Sequence, residues 1–233
     1  MTALLTVKNL SYDYPDGTPA LRGLSLDLEE GAKMAVVGSN GSGKSTLLLH
    51  LAGCFAPQRG EISLRGKAVG ENLQALKDAI GMVFQEPDDQ LFMPSVAMDA
   101  AFGLIARKVK PESALATAQA CLERLGIAHL ANRPPHRLSS GEKRLAAIAG
   151  ILAMNPEIIL LDEPSAALDP RARRQLISIL KGLGKSMIIA THDLEMAKTV
   201  CDSAIVIQSG RVAAEGSPDK LLGCEKLLEE CGL

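Results

Sequence analysis

The run Gly38-Ser-Asn-Gly-Ser-Gly-Lys-Ser-Thr46 constrains this chain more than any other feature. It fits the spacing Gly-x-x-x-x-Gly-Lys-Ser, with an apolar strand-like stretch, Lys33–Val37, before it and a helix-like stretch, Thr46–Gly53, after it. Gly38, Gly41 and Gly43 let the backbone curl so that the N–H groups through Ser39, Asn40 and Ser42 converge into an anion nest. The helix that follows adds its N-terminal dipole. Lys44 is placed to reach the β- and γ-phosphates of a nucleoside triphosphate, and the Ser45 hydroxyl to ligate Mg²⁺. A strand–loop–helix of this kind belongs in an α/β fold and implies a triphosphatase, without saying which one.

The rest of the chain is patterned to match. Leu4–Leu10 alternates, Asp13–Pro19 is turn-rich, and Leu24, Leu26 and Leu28 alternate with polar residues as a half-buried strand. Glu61–Leu64 and Ile80–Phe84 are further strand candidates. From Pro87 to Asn155 helical spacing replaces strand alternation. Ala114, Leu115, Ala118, Cys121, Leu122 and Leu125 share one predicted face, and Leu145, Ile148, Ala149 and Leu152 another. After Pro156, Ile158–Leu161 and Ser186–Ala190 are buried parallel strands in prospect, with helices over Arg171–Lys181 and Leu194–Val200. Ala204–Gln208 and Arg211–Ala214 predict a hairpin, and Ser217-Pro218 a cap and first turn. The expectation is one domain over 1–233: a core from 1–86 and 156–233 with an N-terminal β subdomain, and an inserted helical lobe over 87–155.

Composition narrows the classes. Twenty-five basic against 27 acidic residues leave a net charge of −2, too balanced for a nucleic-acid-coating protein. Aromatics are 3 % of the chain, with no Trp, so few platforms exist for stacking bases and no nucleic-acid partner is expected. Five cysteines lie scattered without a CxxC pair, as expected of reduced thiols. The N-terminus has no basic region followed by an apolar core, so no signal peptide is expected, and the apolar runs are too short to span a bilayer.

Ile158-Ile-Leu-Leu-Asp162-Glu163 sets two carboxylates at the C-terminal end of a buried strand, the edge where open α/β sheets bind ligands. Asp162 is placed to hold Mg²⁺, directly or through water, and Glu163 to orient or deprotonate an attacking water. His192 follows another strand to the same edge, within reach of a γ-phosphate, whereas His50, His129 and His136 read as structural.

With these residues in view the chain resembles the ATP-binding subunits of ABC transporters along nearly its whole length. Leu138-Ser-Ser-Gly-Glu142 is similar to that family's signature motif, and Asp162-Glu163-Pro164 followed by Ser165-Ala-Ala-Leu-Asp169 to its Walker B glutamate and D-loop. Gln85 stands where the Q-loop glutamine belongs, His192 where the switch histidine belongs, and Tyr14 where an aromatic stacks on adenine. The resemblance implies a RecA-like P-loop core with a β subdomain and a helical lobe, an ATPase using ATP and Mg²⁺, with catalytic Lys44, Glu163 and His192 and with Gln85 also near the metal. It implies a head-to-tail dimer, homo or hetero, in which Ser139, Ser140, Gly141, Glu142 and Asp169 face the partner's nucleotide. Ser140 stands in place of a glycine and Glu142 in place of a glutamine, adding a side chain at a close approach and a negative charge near the nucleotide.

Gln85-Glu-Pro-Asp-Asp-Gln90-Leu-Phe92 resembles the Q-loop extension of the energy-coupling-factor (ECF) importer ATPases, above all those for cobalt and nickel. That resemblance implies a peripheral subunit on the cytoplasmic face of the cell membrane, bound to a transmembrane coupling protein and a substrate-specific membrane protein. Asp88 and Asp89 are then expected to pair with basic residues of the membrane partner, and Leu91 and Phe92 to supply apolar contact. Many such ATPases carry a C-terminal extension that holds the dimer; with the sequence ending at Leu233, dimerisation is expected with ATP or the membrane partner present. Two alternatives remain open at this level: an ECF module serving vitamin-binding partners, and a soluble ABC ATPase with no transport role.

Overall fold

The computed structural model describes residues 3–70 and 73–232; Met1 and Leu233, the ends of the expected domain, lie outside the described residues. In chain order the elements begin β1 (Leu5–Asp13), β2 (Pro19–Leu28), β3 (Lys33–Val37), α1 (Lys44–Leu51), β4 (Arg59–Leu64), β5 (Lys67–Ala68), α2 (Gln74–Ala79) and β6 (Ile80–Val83). Three helices follow, α3 (Val96–Ala106), α4 (Pro111–Arg124) and α5 (Ser140–Ala153). The chain then returns through β7 (Ile158–Asp162), α6 (Pro170–Gly182), β8 (Ser186–Ala190), α7 (Leu194–Val200), β9 (Ser203–Gln208) and β10 (Arg211–Gly216) to two short helices, α8 (Pro218–Leu221) and α9 (Glu225–Glu230).

Two sheets result. An antiparallel sheet has the order β2-β1-β4-β5, and a mostly parallel one the order β10-β9-β3-β8-β7-β6, with β10 antiparallel at its edge. Strand alternation divides the parallel sheet between two cores. Met34, Val36, Ile158, Leu160, Ile188 and Ile205 face α1 and the leucines of the antiparallel sheet. Ala35, Val37, Ile159, Leu161 and Ile189 face α6, α7 and the three-helix lobe. Both faces are covered, which is why these strands are continuous apolar runs. Each fully buried Leu or Ile contributes about 1.5–3 kcal/mol.

Lys33, the charged start of an otherwise apolar strand, is buried because its Nζ donates to Leu180 O at 2.9 Å and Lys181 O at 2.7 Å, closing the last turn of α6. Helix starts are capped by side chains: Ser95 for α3, Ser139 for α5, Asp169 with Pro170 for α6, and Asp193 for α7.

Several local expectations shift. β1 reaches Asp13 and β2 begins at Pro19, because the two strands pair up to the ends of the turn, which is confined to residues 14–18. The helix after the glycine loop is Lys44–Leu51, and Gly53 lies beyond it at φ +71°. Leu115 is exposed, although Ala114, Ala118, Leu122 and Leu125 are buried; the face turned inward is narrower than the spacing suggested. Ser217 occupies the cap position of α8 without a side-chain hydrogen bond. Among the described residues no helix is long and apolar enough to cross a membrane.

Candidate functional site

Four adjacent parallel strands end at one edge of the sheet. β3 runs into the glycine loop, β8 into Thr191–His192, β7 into Asp162–Glu163, and β6 into Phe84–Gln85. A cavity of about 310 Å³ opens there, lined among others by Tyr14, Asn40, Lys44, Gln85, Asp162 and Glu163. Gly41, Gly43, Ser45 and Thr46 line the same cavity.

The loop needs its glycines for space as well as for backbone angle. A Cβ on Gly38 would collide with Ile207 O and lie 2.6 Å from Ser42 Oγ; one on Gly43, at φ +111°, would lie 2.7 Å from Ala20 O. Lys44 arches back over the loop, its Nζ donating to Gly38 O at 2.7 Å and Ser39 O at 3.2 Å and lying 4.0 Å from Glu163 Oε1. Tyr14 shares a hydrogen bond of 2.9 Å with Thr46 Oγ1 and rests edge-on against Tyr12, which stacks on Phe55.

Glu163 is buried, has φ +44°, and its N–H donates to Ala190 O at 2.8 Å. A left-handed residue without glycine's freedom stores of order 1–3 kcal/mol, and here it turns the carboxylate back toward the next strand. Glu163 Oε2 lies 2.8 Å from His192 Nδ1 and accepts from His192 N at 3.2 Å. Burial pushes the Asp162 carboxyl above its usual range, and a hydrogen bond from Ser45 opposes that. Asp162 Oδ1 is buried with no hydrogen-bond partner among the described residues.

The structure does not bring every sequence-predicted residue to this cavity. Ser139, Gly141, Glu142 and Asp169 line a separate one of about 320 Å³ between α5 and α6, and Ser140 Oγ donates to Ala167 O at 3.4 Å. Ser139 and Glu142 form a reciprocal capping box: Ser139 N and Oγ both donate to Glu142 Oε2 at 2.8 Å, and Glu142 N donates to Ser139 Oγ at 3.3 Å. Ser39 and Asn40 also border His192 and Leu194 in a third crevice.

The segment after Gln85 is arranged differently from expectation in one respect, and in another it already has a partner within the chain. Asp88 accepts from Lys143 Nζ at 2.7 and 2.9 Å, an exposed pair. Leu91 is a core residue, whereas Phe92 is 61 % exposed. Sequence reasoning missed the buried charges that shape this region. Arg144 holds Phe84 O at 2.6 Å and Gln85 O at 2.7 Å, and Asp99 Oδ1 accepts from Phe92 N at 3.0 Å and Met93 N at 2.9 Å. Burial lowers the Arg144 guanidinium from its usual value, and nearby Glu86 and Asp162 support its charge. The only sequence signal was a charge standing inside an apolar helical pattern.

The ABC transporter family profile matches residues 21–166, more than half of the chain. The chain belongs to the ABC transporter ATP-binding family. A putative ABC transporter ATP-binding protein of Geobacter sulfurreducens is 47 % identical over 231 residues, covering 99 % of this chain and 93 % of the relative. The energy-coupling factor transporter ATP-binding protein EcfA of Carboxydothermus hydrogenoformans is 43 % identical, covering 100 % of this chain and 87 % of the relative. Among solved structures, CbiO1 of Clostridium perfringens, part of the ABC transporter complex CbiONQ, superposes with a TM-score of 0.87 at 37 % identity, covering 99 % of this chain and 94 % of that one. The dimeric ATP-binding cassette MJ0796, in a post-hydrolysis state with ADP and Pi, superposes with a TM-score of 0.81 at 29 % identity, covering 92 % and 98 %. The fold is that of an ABC ATPase, and the chain is an ATP-binding, ATP-hydrolysing cassette of an ABC transporter.

Proposed function

We propose that this cassette is the motor subunit of an ECF-type importer, with cobalt or nickel ions as cargo. Its partners on this reading are a second ATPase subunit, a transmembrane coupling protein and a substrate-specific membrane protein, with the cassette held peripherally at the cytoplasmic face. The observation that carries the reading is an apolar ridge beside the Gln85 segment. Phe92 and Phe102 meet edge-to-face at 4.9 Å, both exposed, with exposed Met98 and Ile105 on the same helical lobe. An exposed apolar cluster of this kind marks a protein contact, and relatives named as energy-coupling-factor ATPases supply the kind of partner. The metal cargo rests on the resemblance of Gln85–Phe92 to the cobalt and nickel ATPases.

In the site, Lys44 would bind the β- and γ-phosphates of ATP, with Gly38–Thr46 supplying backbone N–H groups and Tyr14 stacking on adenine. Glu163 would orient the attacking water and take its proton, and His192 would hold Glu163 in place beside the γ-phosphate. The unpartnered Asp162 oxygen, the Ser45 hydroxyl beside it and Gln85 on the same cavity form an oxygen donor set suited to Mg²⁺. When bound, the ion would neutralise charge on the transferred phosphoryl group. Ser139–Glu142 and Asp169, set apart from the loop in their own chain, would meet the nucleotide of a second subunit paired head to tail.

Extraction of the tagged chain from its native cell in mild detergent, with and without Phe92→Ser, tests the reading. Two polytopic membrane proteins should co-purify with the parent and be lost from the variant. A soluble complex with no membrane protein would overturn it.

A further inference from the structure

His192 is held only lightly by its own side chain. Its side chain is 65 % exposed, and its ring lies against Glu163 Oε2 through Nδ1. The backbone on either side must therefore set its aim. On one side Thr191 is fully buried and its N–H donates to Val36 O at 3.0 Å, which ties it to β3. On the other side stands Asp193, whose N–H donates to Thr191 Oγ1 at 3.0 Å.

The Asp193 carboxylate is gripped from another element. Arg173, in the first turns of α6, donates through one terminal nitrogen to Oδ1 at 2.5 Å and through Nε to Oδ2 at 2.6 Å. Met196 N donates to Oδ1 at 2.9 Å, which caps α7, and the Ser165 hydroxyl also bonds the carboxylate. Burial works to raise this carboxyl, but the Arg173, Met196 and Ser165 bonds outweigh it and hold it at about 2. The contact of Arg173 with Glu195, at 2.8 Å, reaches an exposed carboxylate and adds little. The grip is partly buried and two-pronged, the geometry in which guanidinium and carboxylate fix direction as well as distance.

We propose that Arg173 is a positioning residue of the hydrolytic site: by gripping Asp193 it fixes the backbone from which His192 reaches Glu163. The proposal rests on the roles given above to Glu163 and His192. α6 is capped by Asp169, and Ser165 bonds the Asp193 carboxylate, so the grip also ties the Ser165–Asp169 segment to His192. A lysine could match the charge, but its ammonium cannot reproduce the planar fork. A residue serving only to cap α7 would not need the fork, since Met196 N already meets Asp193.

Single-turnover ATP hydrolysis by the full chain, with nucleotide affinity from a fluorescent ATP analogue, tests this on Arg173→Met, Arg173→Lys, His192→Ala and the double variants. Arg173→Met should slow hydrolysis on the order of ten- to a hundredfold, the scale of a small misplacement of a reacting group, with affinity unchanged. Arg173→Lys should recover part of the rate. Adding either substitution to His192→Ala should cost nothing further, because the group being positioned is already gone. Should the Met variant lose its fold, the Lys variant carries the same comparison. A parental rate in Arg173→Met, an equal loss with and without His192, or a loss that follows affinity and melting temperature would each overturn the proposal. A parental rate in His192→Ala alone would withdraw the reading of His192 itself, and the proposal with it.

Discussion

The glycine-loop edge and the Ser139–Glu142 corner both offer hydroxyls and helix N-terminal amides, but they treat those groups in opposite ways. At the loop, crowding and strain keep groups available: Gly38 and Gly43 press against carbonyls, Glu163 sits in the left-handed region, and Asp162 Oδ1 is buried unpartnered. Buried polar atoms are normally paired, so an orphan at a ligand edge is a place prepared for something else. At the corner the Ser139 N–H and hydroxyl both donate to Glu142, so the corner is satisfied alone. In the head-to-tail pair proposed above, a nucleotide would meet one half with an open carboxylate oxygen, where Lys44 alone must let go of Gly38 O and Ser39 O, and another in which both Ser139 donors must first exchange an internal hydrogen bond. Closure of such a pair would then be the weaker and more adjustable of the two steps.

Lys44→Ala should break the first half altogether. Charged hydrogen bonds to phosphate are among the stronger ones, and ATP affinity should fall at least about a hundredfold, or about 2.8 kcal/mol, with hydrolysis lost alongside. Titration with a fluorescent ATP analogue checks this, and parental affinity would remove Lys44 from the site. Glu163→Gln should have the next largest effect, because it keeps shape and backbone while removing the proton acceptor. ATP should still bind, with turnover slowed roughly 10²–10⁴-fold and dimers accumulating in size-exclusion chromatography. Turnover at the parental rate would show that Glu163 is not the base.

The loop half was legible in the sequence because its chemistry is contiguous: Gly38–Thr46 and Ile158–Glu163 each sit on one strand and its exit, and parallel pairing brings the exits together. The sheet was legible for the same reason, since Ile158–Leu161 and Ser186–Ala190 are short apolar runs of the length and composition that suit doubly covered strands. Contacts between distant positions carry no such period. Arg173 and Asp193 look like two surface charges until α6 and α7 are packed, and Lys143 gives no sign that it will pair with Asp88. Lys33 and Arg144 break an apolar pattern, and the sequence cannot say that backbone carbonyls wait to receive them. Leu91 and Phe92 are adjacent and equally apolar, and it is the turn at Pro87–Asp89, together with the hold of Asp99 on Phe92 N and Met93 N, that sends the first inward and the second outward.

The smallest effect should come from the corner, where it is the most informative about the contrast. Glu142→Ala removes the acceptor of both Ser139 donors and half of the capping box of α5. Ser139 still caps the helix through the backbone N–H at position 142, so the cost should lie at the low end of the roughly 0.5–2 kcal/mol that loss of a whole cap carries. The hydrogen bonds from the Ser139 N–H and hydroxyl hold the Glu142 carboxyl below its ordinary value of 4.5. A carboxyl lowered on folding stabilises the fold above its unfolded value, and that contribution is lost as the pH falls through the folded one. Melting temperatures of parent and variant should therefore differ near pH 7 and converge as the pH is taken below about 4.5. The same substitution frees the Ser139 hydroxyl. If the corner is held back by its own satisfaction, ATP-dependent dimerisation of the Glu163→Gln protein should become tighter when Glu142→Ala is added, even as each subunit becomes less stable. Weaker dimerisation would mean that Glu142 shapes the corner for the nucleotide and does not withhold it, and the two halves of the site would then be equally prepared.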